Sequence, residues 1–414
     1  MVSPPAADAE RVAALRQALP ALAAGIYLNT GTCGPLPAET AAAMADITDW
    51  ELRIGRASPD TYYDVLQRMD EARAALAAIL GADIRDIALT HSVTEAMNIA
   101  TWGIDWRPGD RAVTARRSEH AGGLSALYTV RDRQGVQLEL VDLPDAGDHD
   151  RVLAAFDAAI RPGTRLVSLS HVSHATGRLL PIAEIAELAH ARGALVVVDG
   201  AQAVGAIPVE VAALGVDLYG VAGQKWLLGP EGTAALYVAP SALERVQRTY
   251  ASFWSYEKHD LAGLARPWPD ARRFEGTSGV NHSLVIGLAR STGWLSMYVG
   301  LDWAHRRTAE LAGSTAVRLA AIPDVELVTP VEAMAGLIVF RVAGWPAGSV
   351  VDELGARIFV ISRVIEELDA IRFSVGWFNS EDEIERTLAL VAELAAHTPE
   401  SMPPRRTLNV LDGP

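Results

Sequence analysis

Two residues, Asp199 and Lys225, carry the most specific chemical signal in the chain. Asp199 ends the apolar segment VVVD, and Lys225 follows DLYGVAGQ in a glycine-rich turn. A carboxylate at the carboxyl end of a buried parallel strand lies where open α/β sheets bind ligands. A lysine among apolar and glycine residues loses hydration, which lowers its pKa and leaves the neutral amine that Schiff-base chemistry needs. Taken singly, Asp199 equally suits the role of a helix cap. Lys225 could be a surface lysine, although its place beside Trp226 in a glycine-rich turn, in a chain with two lysines, disfavours that role.

Taken together, the two residues meet the needs of one cofactor, pyridoxal phosphate (PLP). PLP forms a Schiff base with a lysine, and an acidic residue usually keeps its pyridinium nitrogen protonated. The chain has two lysines, Lys225 and Lys258, so lysine chemistry has two candidates. We predict that PLP is the cofactor and that Lys225 is the catalytic lysine that holds it.

Further loops at predicted strand ends offer polar groups to such a cofactor. The segment HSVTEAMN (91–98) opens a helix whose free N–H groups suit a phosphate, together with the Thr94 hydroxyl. Thr94 equally suits the cap of its own helix. His120 and His174 follow two other strands, and a lone histidine is more often a structural residue than a ligand. The convergence of these loops on one sheet edge supports a cofactor site more strongly than any single residue does.

An α/β fold would bring these loops together. Seven short apolar segments read as strands, namely 86–90, 110–115, 137–143, 165–172, 194–200, 217–223 and 233–239. Helical segments separate them, which predicts a mainly parallel seven-stranded sheet covered on both faces. We also predict an amphipathic helix over 8–24, a long functional loop over 250–280 and a single helix over 282–321.

The predicted domains follow from these elements. An N-terminal arm spans 1–27 and a large cofactor-binding domain spans 28–280. A smaller α+β C-terminal domain spans 281–397 and ends in a helix over 381–397, before a tail over 398–414. Within the small domain, Arg372 lies on a predicted strand, and its guanidinium fork matches the carboxylate of an amino acid.

Composition also disfavours several classes of function. The formal net charge of −15 disfavours binding to nucleic acid and to anionic membranes. One cysteine, Cys33, excludes a disulfide within the chain and a cysteine-based metal site, and we expect no metal. We see neither signal-peptide features nor a run of about 18 apolar residues, so we expect a cytoplasmic protein.

The whole set of motifs resembles the class V branch of the fold-type I PLP-dependent transferases, the aminotransferase fold. That branch includes cysteine desulfurases, isopenicillin N epimerase-like proteins and cysteine or cystine C–S lyases. The resemblance runs from about 27 to 396 and rests on VVVDGAQAVG, GQKW with GPEG, SVTEAMNIA, EGTSG (275–279) and IRFSVGWFNSEDEI. It implies the fold-type I architecture, PLP and an amino-acid substrate.

The resemblance also implies roles for single residues around the cofactor ring. Lys225 matches the Schiff-base lysine and Asp199 matches the partner of the pyridinium nitrogen. Gln202 matches the residue at the 3-hydroxyl, and His120 matches the histidine that stacks on the ring. His174 occupies a position near the 3-hydroxyl of the cofactor where the family commonly has asparagine. This difference would affect either the electronic properties of the cofactor ring or the fit of the substrate.

Other matches concern the phosphate, the partner subunit and the substrate. Val93 and Thr94 match the phosphate cup, and Gln224, at a position that is often histidine, can still donate to phosphate. Thr277 in the EGTSG motif resembles a residue that reaches the phosphate of the neighbouring subunit, which implies a homodimer. The substrate is expected to contact two residues, the α-carboxylate clamp Arg372 and Gly31 of the GTCGPLP loop.

The position of Cys33 reduces the number of reactions that the enzyme could catalyse. Desulfurases of this branch use a cysteine on a small-domain loop, and this chain has no cysteine after Cys33, which we interpret as a small buried thiol. The motifs GTCGPLP and SHVSHATGRLLP resemble the cystine C–S lyase group, whose relatives act on cysteine S-conjugates in antibiotic pathways, including that of sulfur-containing lincosamides. We therefore expect a C–S lyase that cleaves such a substrate by β-elimination, with Lys225 as the Cα base.

Four alternatives remain open at this point. They are decarboxylative oxidative deamination of the same substrate class, epimerisation, transamination and a non-catalytic PLP-binding role. The non-catalytic role is disfavoured because aminotransferase-like regulators carry a DNA-binding extension, for which this acidic chain has no room. Four aromatic residues are candidate walls of the pocket for the sulfur substituent, Tyr62, Trp254, Tyr256 and Trp268, and simple packing would suit them equally well.

Overall fold

The computed structural model describes residues 6–144, 148–276 and 280–405, and strands alternate with helices over most of its length. The strands are β1 (Ile26–Tyr27), β2 (Ile87–Thr90), β3 (Arg111–Ala115), β4 (Gln137–Val141), β5 (Thr164–Ser170), β6 (Leu195–Asp199), β7 (Leu218–Ala222), β8 (Ala234–Val238), β9 (Tyr256–His259), β10 (Ala265–Pro267), β11 (Val325–Leu327), β12 (Leu337–Val342), β13 (Val360–Ile361), β14 (Arg363–Ile365) and β15 (Ala370–Ser374). The α-helices are α1 (Ala6–Arg16), α2 (Ala38–Ile54), α3 (Pro59–Leu80), α4 (Val93–Trp102), α5 (Ala121–Gln134), α6 (His149–Ala159), α7 (Ile182–His190), α8 (Val211–Leu214), α9 (His282–Gly293), α10 (Leu301–Ala320), α11 (Ala347–Ile358) and α12 (Glu381–Ala395).

The central feature is a seven-stranded sheet in the order β2-β8-β7-β6-β5-β3-β4. All of its strand pairs are parallel except those of β8, which runs antiparallel to both β2 and β7. Strands β6 and β7 are buried along their whole length, as expected for strands covered by helices on both faces. The prediction of a mainly parallel seven-stranded sheet is confirmed, and the strands that precede the predicted site loops all end at one edge.

A second, antiparallel sheet of four strands, in the order β11-β12-β15-β14, forms a smaller hydrophobic core with α10, α11 and α12. The N-terminal segment joins this core, because β1 pairs in parallel with β13 and Ile26 and Leu28 are buried in it. An isolated bridge between Asn29 and Ser374 continues the same connection. The loop that follows β1 is thereby held against the C-terminal part of the chain. The division into domains at about residue 280 stays a prediction.

Three predicted elements differ from the structure. The single helix expected over 282–321 is divided into α9, a π-helical turn at Trp294–Val299 and α10, with a bend of 81° between the two parts. Gly300, at the start of α10, has a φ of +82°, a conformation that glycine adopts readily. The helix expected over 8–24 ends at Arg16, and the loop expected over 250–280 contains the β9–β10 hairpin.

The length and hydropathy of the described helices bear on membrane insertion. No single helix among them is long and apolar enough to cross a membrane, and the bent pair His282–Val299 with Leu301–Ala320 meets the length and composition only as a pair.

Candidate active site

A cavity of about 230 Å³ opens at the carboxyl edge of the seven-stranded sheet. Ten of the predicted site residues line it, namely Gly31, Val93, Thr94, His120, His174, Asp199, Gln202, Gln224, Lys225 and Arg372. Thr277 lies outside the described residues. The polar lining also includes Thr32, Ser92 and Arg363, none of which the sequence analysis named.

The two residues at the base of the cavity have the electrostatics that PLP requires. Asp199 is the last residue of β6, is buried, and accepts a hydrogen bond from the Ala201 N–H at 2.9 Å. Lys225 is half-buried in the turn after β7, where Gly34 N–H donates to the neighbouring Gln224 carbonyl at 2.8 Å. Burial lowers the pKa of Lys225, with Asp199 opposing the shift. The amine is therefore more readily neutral than an exposed lysine, as nucleophilic attack on an aldehyde requires.

The start of α4 lines one part of the cavity and offers groups that suit an anion. Helix α4 begins at Val93, and its cap is Ser92, whose side chain accepts from the Glu95 N–H at 3.1 Å. The suggestion that Thr94 caps its own helix is therefore wrong, because Ser92 fills that role and Thr94 lines the cavity instead. The first N–H groups of a helix have no partner within the helix and favour a phosphate.

Two neutral histidine rings form one wall of the cavity. His120 and His174 meet edge to face with their centroids 5.0 Å apart. Burial lowers the pKa of His120. Burial is also the main cause that lowers the pKa of His174 to about 3, and the charge of Arg372 adds to this effect. The Gly122 N–H donates to His120 Nδ1 at 3.0 Å, so the proton of the neutral ring lies on Nε2. An uncharged flat ring suits stacking on an aromatic cofactor.

Gln202 and Gly31 line another part of the same cavity and are joined by a hydrogen bond. Gln202 Nε2 donates to the Gly31 carbonyl at 2.8 Å, and Trp226 Nε1 donates to Gln202 Oε1 at 3.0 Å. These contacts orient the amide and leave one of its N–H groups for the cavity. A Cβ atom at position 31 would lie 2.9 Å from Ser374 Oγ and 3.0 Å from Gln202 Oε1. Only glycine lets this loop approach so closely.

Two arginines converge on Thr32 at the substrate end. Arg372, on β15, is only 1% exposed and donates to the His174 carbonyl at 3.0 Å and to Thr32 Oγ1 at 3.2 Å. Arg363, the first residue of β14, donates to the same Thr32 oxygen at 3.2 Å. Arg372 Nε is buried and has no hydrogen-bond partner among the described residues. Burial and the neighbouring Arg363 lower the pKa of Arg372, which still keeps its charge at neutral pH. Two guanidinium groups at one end of the cavity have the charge and the donor geometry that suit a carboxylate.

Comparison with known proteins decides the family. The family model described as aminotransferase class-V matches residues 26–387. The chain belongs to the class V aminotransferase family. This class V protein is 31% identical over 378 residues to the isopenicillin N epimerase of Streptomyces clavuligerus, with 87% of this chain and 92% of the relative covered.

Two solved structures of the cystine C–S lyase C-DES share the fold. The complex of C-DES with its reaction product, cysteine persulfide, superposes with a TM-score of 0.85 at 27% identity, covering 90% of this chain and 99% of that one. A lysine-to-alanine variant of C-DES, with glycine covalently linked to the PLP cofactor, gives a TM-score of 0.85 at 26% identity, covering 91% and 98%. The class V enzyme is thus a fold-type I PLP enzyme, and its lysine amine, buried acid and helix N-terminus fit that cofactor.

The thiol of the class V enzyme differs from its predicted environment. Cys33 is half-exposed, so the interpretation as a buried thiol is wrong. Its Sγ donates to Glu231 Oε1 at 3.1 Å. Burial, followed by the hydrogen bond and charge of Glu231, raises the pKa of Cys33 to about 11. The residue is absent from the lining of the Lys225 cavity, although it lies within electrostatic range of Lys225.

The four aromatic residues predicted as substrate walls lie elsewhere in the protomer. They line a second cavity of about 290 Å³, which shares no lining residue with the cavity of Lys225. Tyr62 stacks on Trp254 there with ring centroids 5.8 Å apart. Arg272 lies 3.7 Å over the Trp268 ring. Within one protomer, these side chains do not shape the Lys225 cavity.

Proposed function

We propose that the enzyme is a C–S lyase that cleaves the Cβ–S bond of an S-substituted cysteine or a cystine-like amino acid. One observation carries the proposal: a lysine amine of lowered pKa lies in the cavity, while burial and Glu231 raise the pKa of the single thiol of the chain, which does not line that cavity. Sulfur transfer to a protein persulfide needs a protein thiolate. A β-elimination needs a base at Cα and no protein thiol.

Each side chain has a defined task in this reaction. When bound, PLP accepts the electron pair of a broken Cα bond into its ring. Lys225 Nζ removes the Cα proton, and the Asp199 carboxylate holds the proton of the ring nitrogen. Arg372 binds the α-carboxylate and so sets which Cα bond stands perpendicular to the ring. The N–H groups at the start of α4 hold the phosphate and keep the ring in place.

The second arginine narrows the substrate class. Arg363 and Arg372 share Thr32 as an acceptor, which concentrates two positive charges at one end of the cavity. One charge suffices for an α-carboxylate. We propose that Arg363 binds a second carboxylate on the sulfur substituent, as cystine and related S-conjugates carry. Replacing Arg363 with glutamine should then slow turnover of cystine and leave turnover of S-methylcysteine close to that of the parent enzyme.

The assembly, compartment and pathway are further parts of the proposal. Exposed apolar side chains, among them Tyr63, Phe253 and Leu261, favour a homodimer interface. Light scattering that showed an active monomer would contradict this assembly and the role of Thr277. A single cysteine and the net charge of −15 are consistent with the cytoplasm. The isopenicillin N epimerase relative supports a place in natural-product biosynthesis, such as that of a lincosamide-type antibiotic.

Epimerisation is the second candidate, because one relative carries that activity in its name. The two reactions share proton removal by Lys225 and differ in the next step. In elimination a thiolate leaves from Cβ, and water releases pyruvate and ammonia. In epimerisation the proton returns to the opposite face of Cα, and the carbon–sulfur bond survives.

Mass spectrometry of the products decides between them. The PLP-loaded enzyme is incubated in heavy water with cystine, S-methylcysteine and longer S-alkyl cysteines. Pyruvate, ammonia and the free thiol or persulfide are the expected products. Intact substrate with deuterium at Cα and inverted configuration would establish epimerisation. An aldehyde with CO2 would establish the decarboxylating alternative, and a keto acid that retains sulfur would establish transamination. Absence of any product in spite of bound PLP would support the non-catalytic role, and the variant Lys225→Ala is the inactive control.

A further inference from the structure

Three titratable side chains lie near Asp199 without lining the cavity, one in the turn after β3, one directly after β5 and one in β7. They are Glu119, His171 and Tyr219, and we call them the backing layer. Ser170 and Asp199 are partners in the pairing of β5 with β6, and His171 N–H donates to the Asp199 carbonyl at 3.0 Å. The backing layer therefore sits against the residue that holds the ring nitrogen.

Glu119 has an unusual environment for a carboxyl group. Ser170 Oγ bonds to Glu119 Oε2 at 2.7 Å, while Oε1 is buried and has no hydrogen-bond partner within the described part of the chain. Glu119 forms no ion pair with any described residue, and Asp199 is the charged group that acts on it. Burial raises the pKa of Glu119 to about 8, with the Ser170 bond opposing the shift and Asp199 adding to it. The carboxyl is therefore mainly neutral at pH 7.

The other two members of the backing layer are neutral as well. His171 Nδ1 and the Tyr219 hydroxyl are 2.8 Å apart. Burial lowers the pKa of His171 to about 4, and burial with the charge of Asp199 raises the pKa of Tyr219 well above its ordinary value. Tyr219 is accordingly the donor to His171. Because the layer supplies no positive charge, the counter-charge of Asp199 comes from the cavity side.

We propose that Glu119 is a positioning residue that, while it keeps its own proton, keeps the shared proton on the cofactor's ring nitrogen rather than on Asp199. Ionised Glu119 would add a second negative charge near Asp199, and a like charge favours the protonated form of a carboxyl. The proton would then move from the ring nitrogen to the Asp199 oxygen, and the ring would lose strength as an electron acceptor. This inference rests on PLP binding and holds for any of the reactions considered above.

The test follows the ring nitrogen directly, in the holoenzyme without substrate. PLP labelled with ¹⁵N is bound, and the nitrogen NMR shift, which reports its protonation, is recorded with the visible spectrum from about pH 6 to about pH 10. The parent enzyme should lose the protonated signal with a midpoint near pH 8. Glu119→Gln, which cannot ionise, should keep the protonated signal over the whole range.

Two further variants keep the test decisive if Glu119→Gln fails to fold. Ser170→Ala removes the bond that favours ionised Glu119, so the midpoint should move to higher pH. Glu139→Gln is the matched control, because Glu139 pairs with Arg111 on the outer strands β3 and β4, and it should titrate like the parent. A parent signal with no step in this range, or a midpoint unaffected by both Glu119→Gln and Ser170→Ala, would overturn the proposal.

Discussion

Replacing Cys33 with serine tests whether a protein thiol takes part in the reaction. Burial and Glu231 hold the pKa of Cys33 at about 11, so about one molecule in ten thousand carries the thiolate at pH 7. A free cysteine with a pKa near 8.5 is about 3% thiolate under the same conditions. Since the thiolate is the nucleophile, Cys33 is about 300-fold less available than an ordinary cysteine. A reaction in which Lys225 is the base needs no protein thiolate.

We expect Cys33→Ser to keep kcat/KM within about two-fold, because serine can replace the donor to Glu231 Oε1 at a half-exposed position where stability effects stay near 0.5 kcal/mol. Pyruvate release is followed with lactate dehydrogenase, and PLP content and circular dichroism verify the loaded, folded enzyme. The companion variant Glu231→Gln removes the charge that opposes ionisation of the thiol and should leave the rate unchanged. A fall of about 100-fold or more in Cys33→Ser, about 2.7 kcal/mol, with PLP bound and the fold intact, would refute the thiol-free mechanism.

Further variants address substrate binding, stability and pH. Arg372→Lys keeps the charge but loses the fork, worth about 2 kcal/mol, so kcat/KM should fall about 30-fold with KM raised and kcat lowered; unchanged kinetics would contradict the clamp. Glu275→Gln removes one of the two carboxylates that pair with the buried Arg73, the one at 2.8 Å, and leaves Asp70 at 2.6 Å, so the free energy of unfolding in urea should fall by about 1.5–3 kcal/mol. His171 has a pKa of about 4 in the folded protein and an ordinary value of 6.5. Its contribution to the free energy of unfolding is therefore fully present above about pH 6.5 and is lost as the pH falls towards 4. His171→Phe should reduce the loss of stability at acid pH by up to about 3 kcal/mol. A variant whose stability depends on pH as that of the parent does would contradict the lowered pKa of His171.

The sequence was most informative where burial dictates residue type. Strands covered on both faces must be apolar throughout, so the segment before Asp199 could be recognised without an alternating pattern. Because parallel strands share one carboxyl edge, Asp199, Lys225, His120 and Thr94 could be brought together from their positions after strands alone. Their meeting in one cavity follows from topology, and topology follows from the order of strands and helices.

Features that depend on pairing between distant segments could not be predicted in this way. Arg363 reaches the cavity because β14 pairs with β15, and Glu119 meets Ser170 because β3 and β5 are neighbours in the sheet. Neither pairing has a local sequence signal. The helical pattern continues through Gly300, so the bend there was missed, and the half-exposure of Cys33 runs against the usual burial of that residue type.

The pairing of Ile26 with Val360 has a consequence for synthesis on the ribosome. At the usual elongation rate of about 5–20 residues per second, Val360 is made roughly half a minute after Ile26. The loop with Gly31 and Thr32 must therefore wait for nearly the whole chain before it can dock beside Arg372. The strands that carry Asp199 and Lys225 have all their sheet neighbours much earlier. A nascent or truncated chain that ends soon after β8 could acquire the cofactor pocket, whereas the carboxylate clamp is completed last.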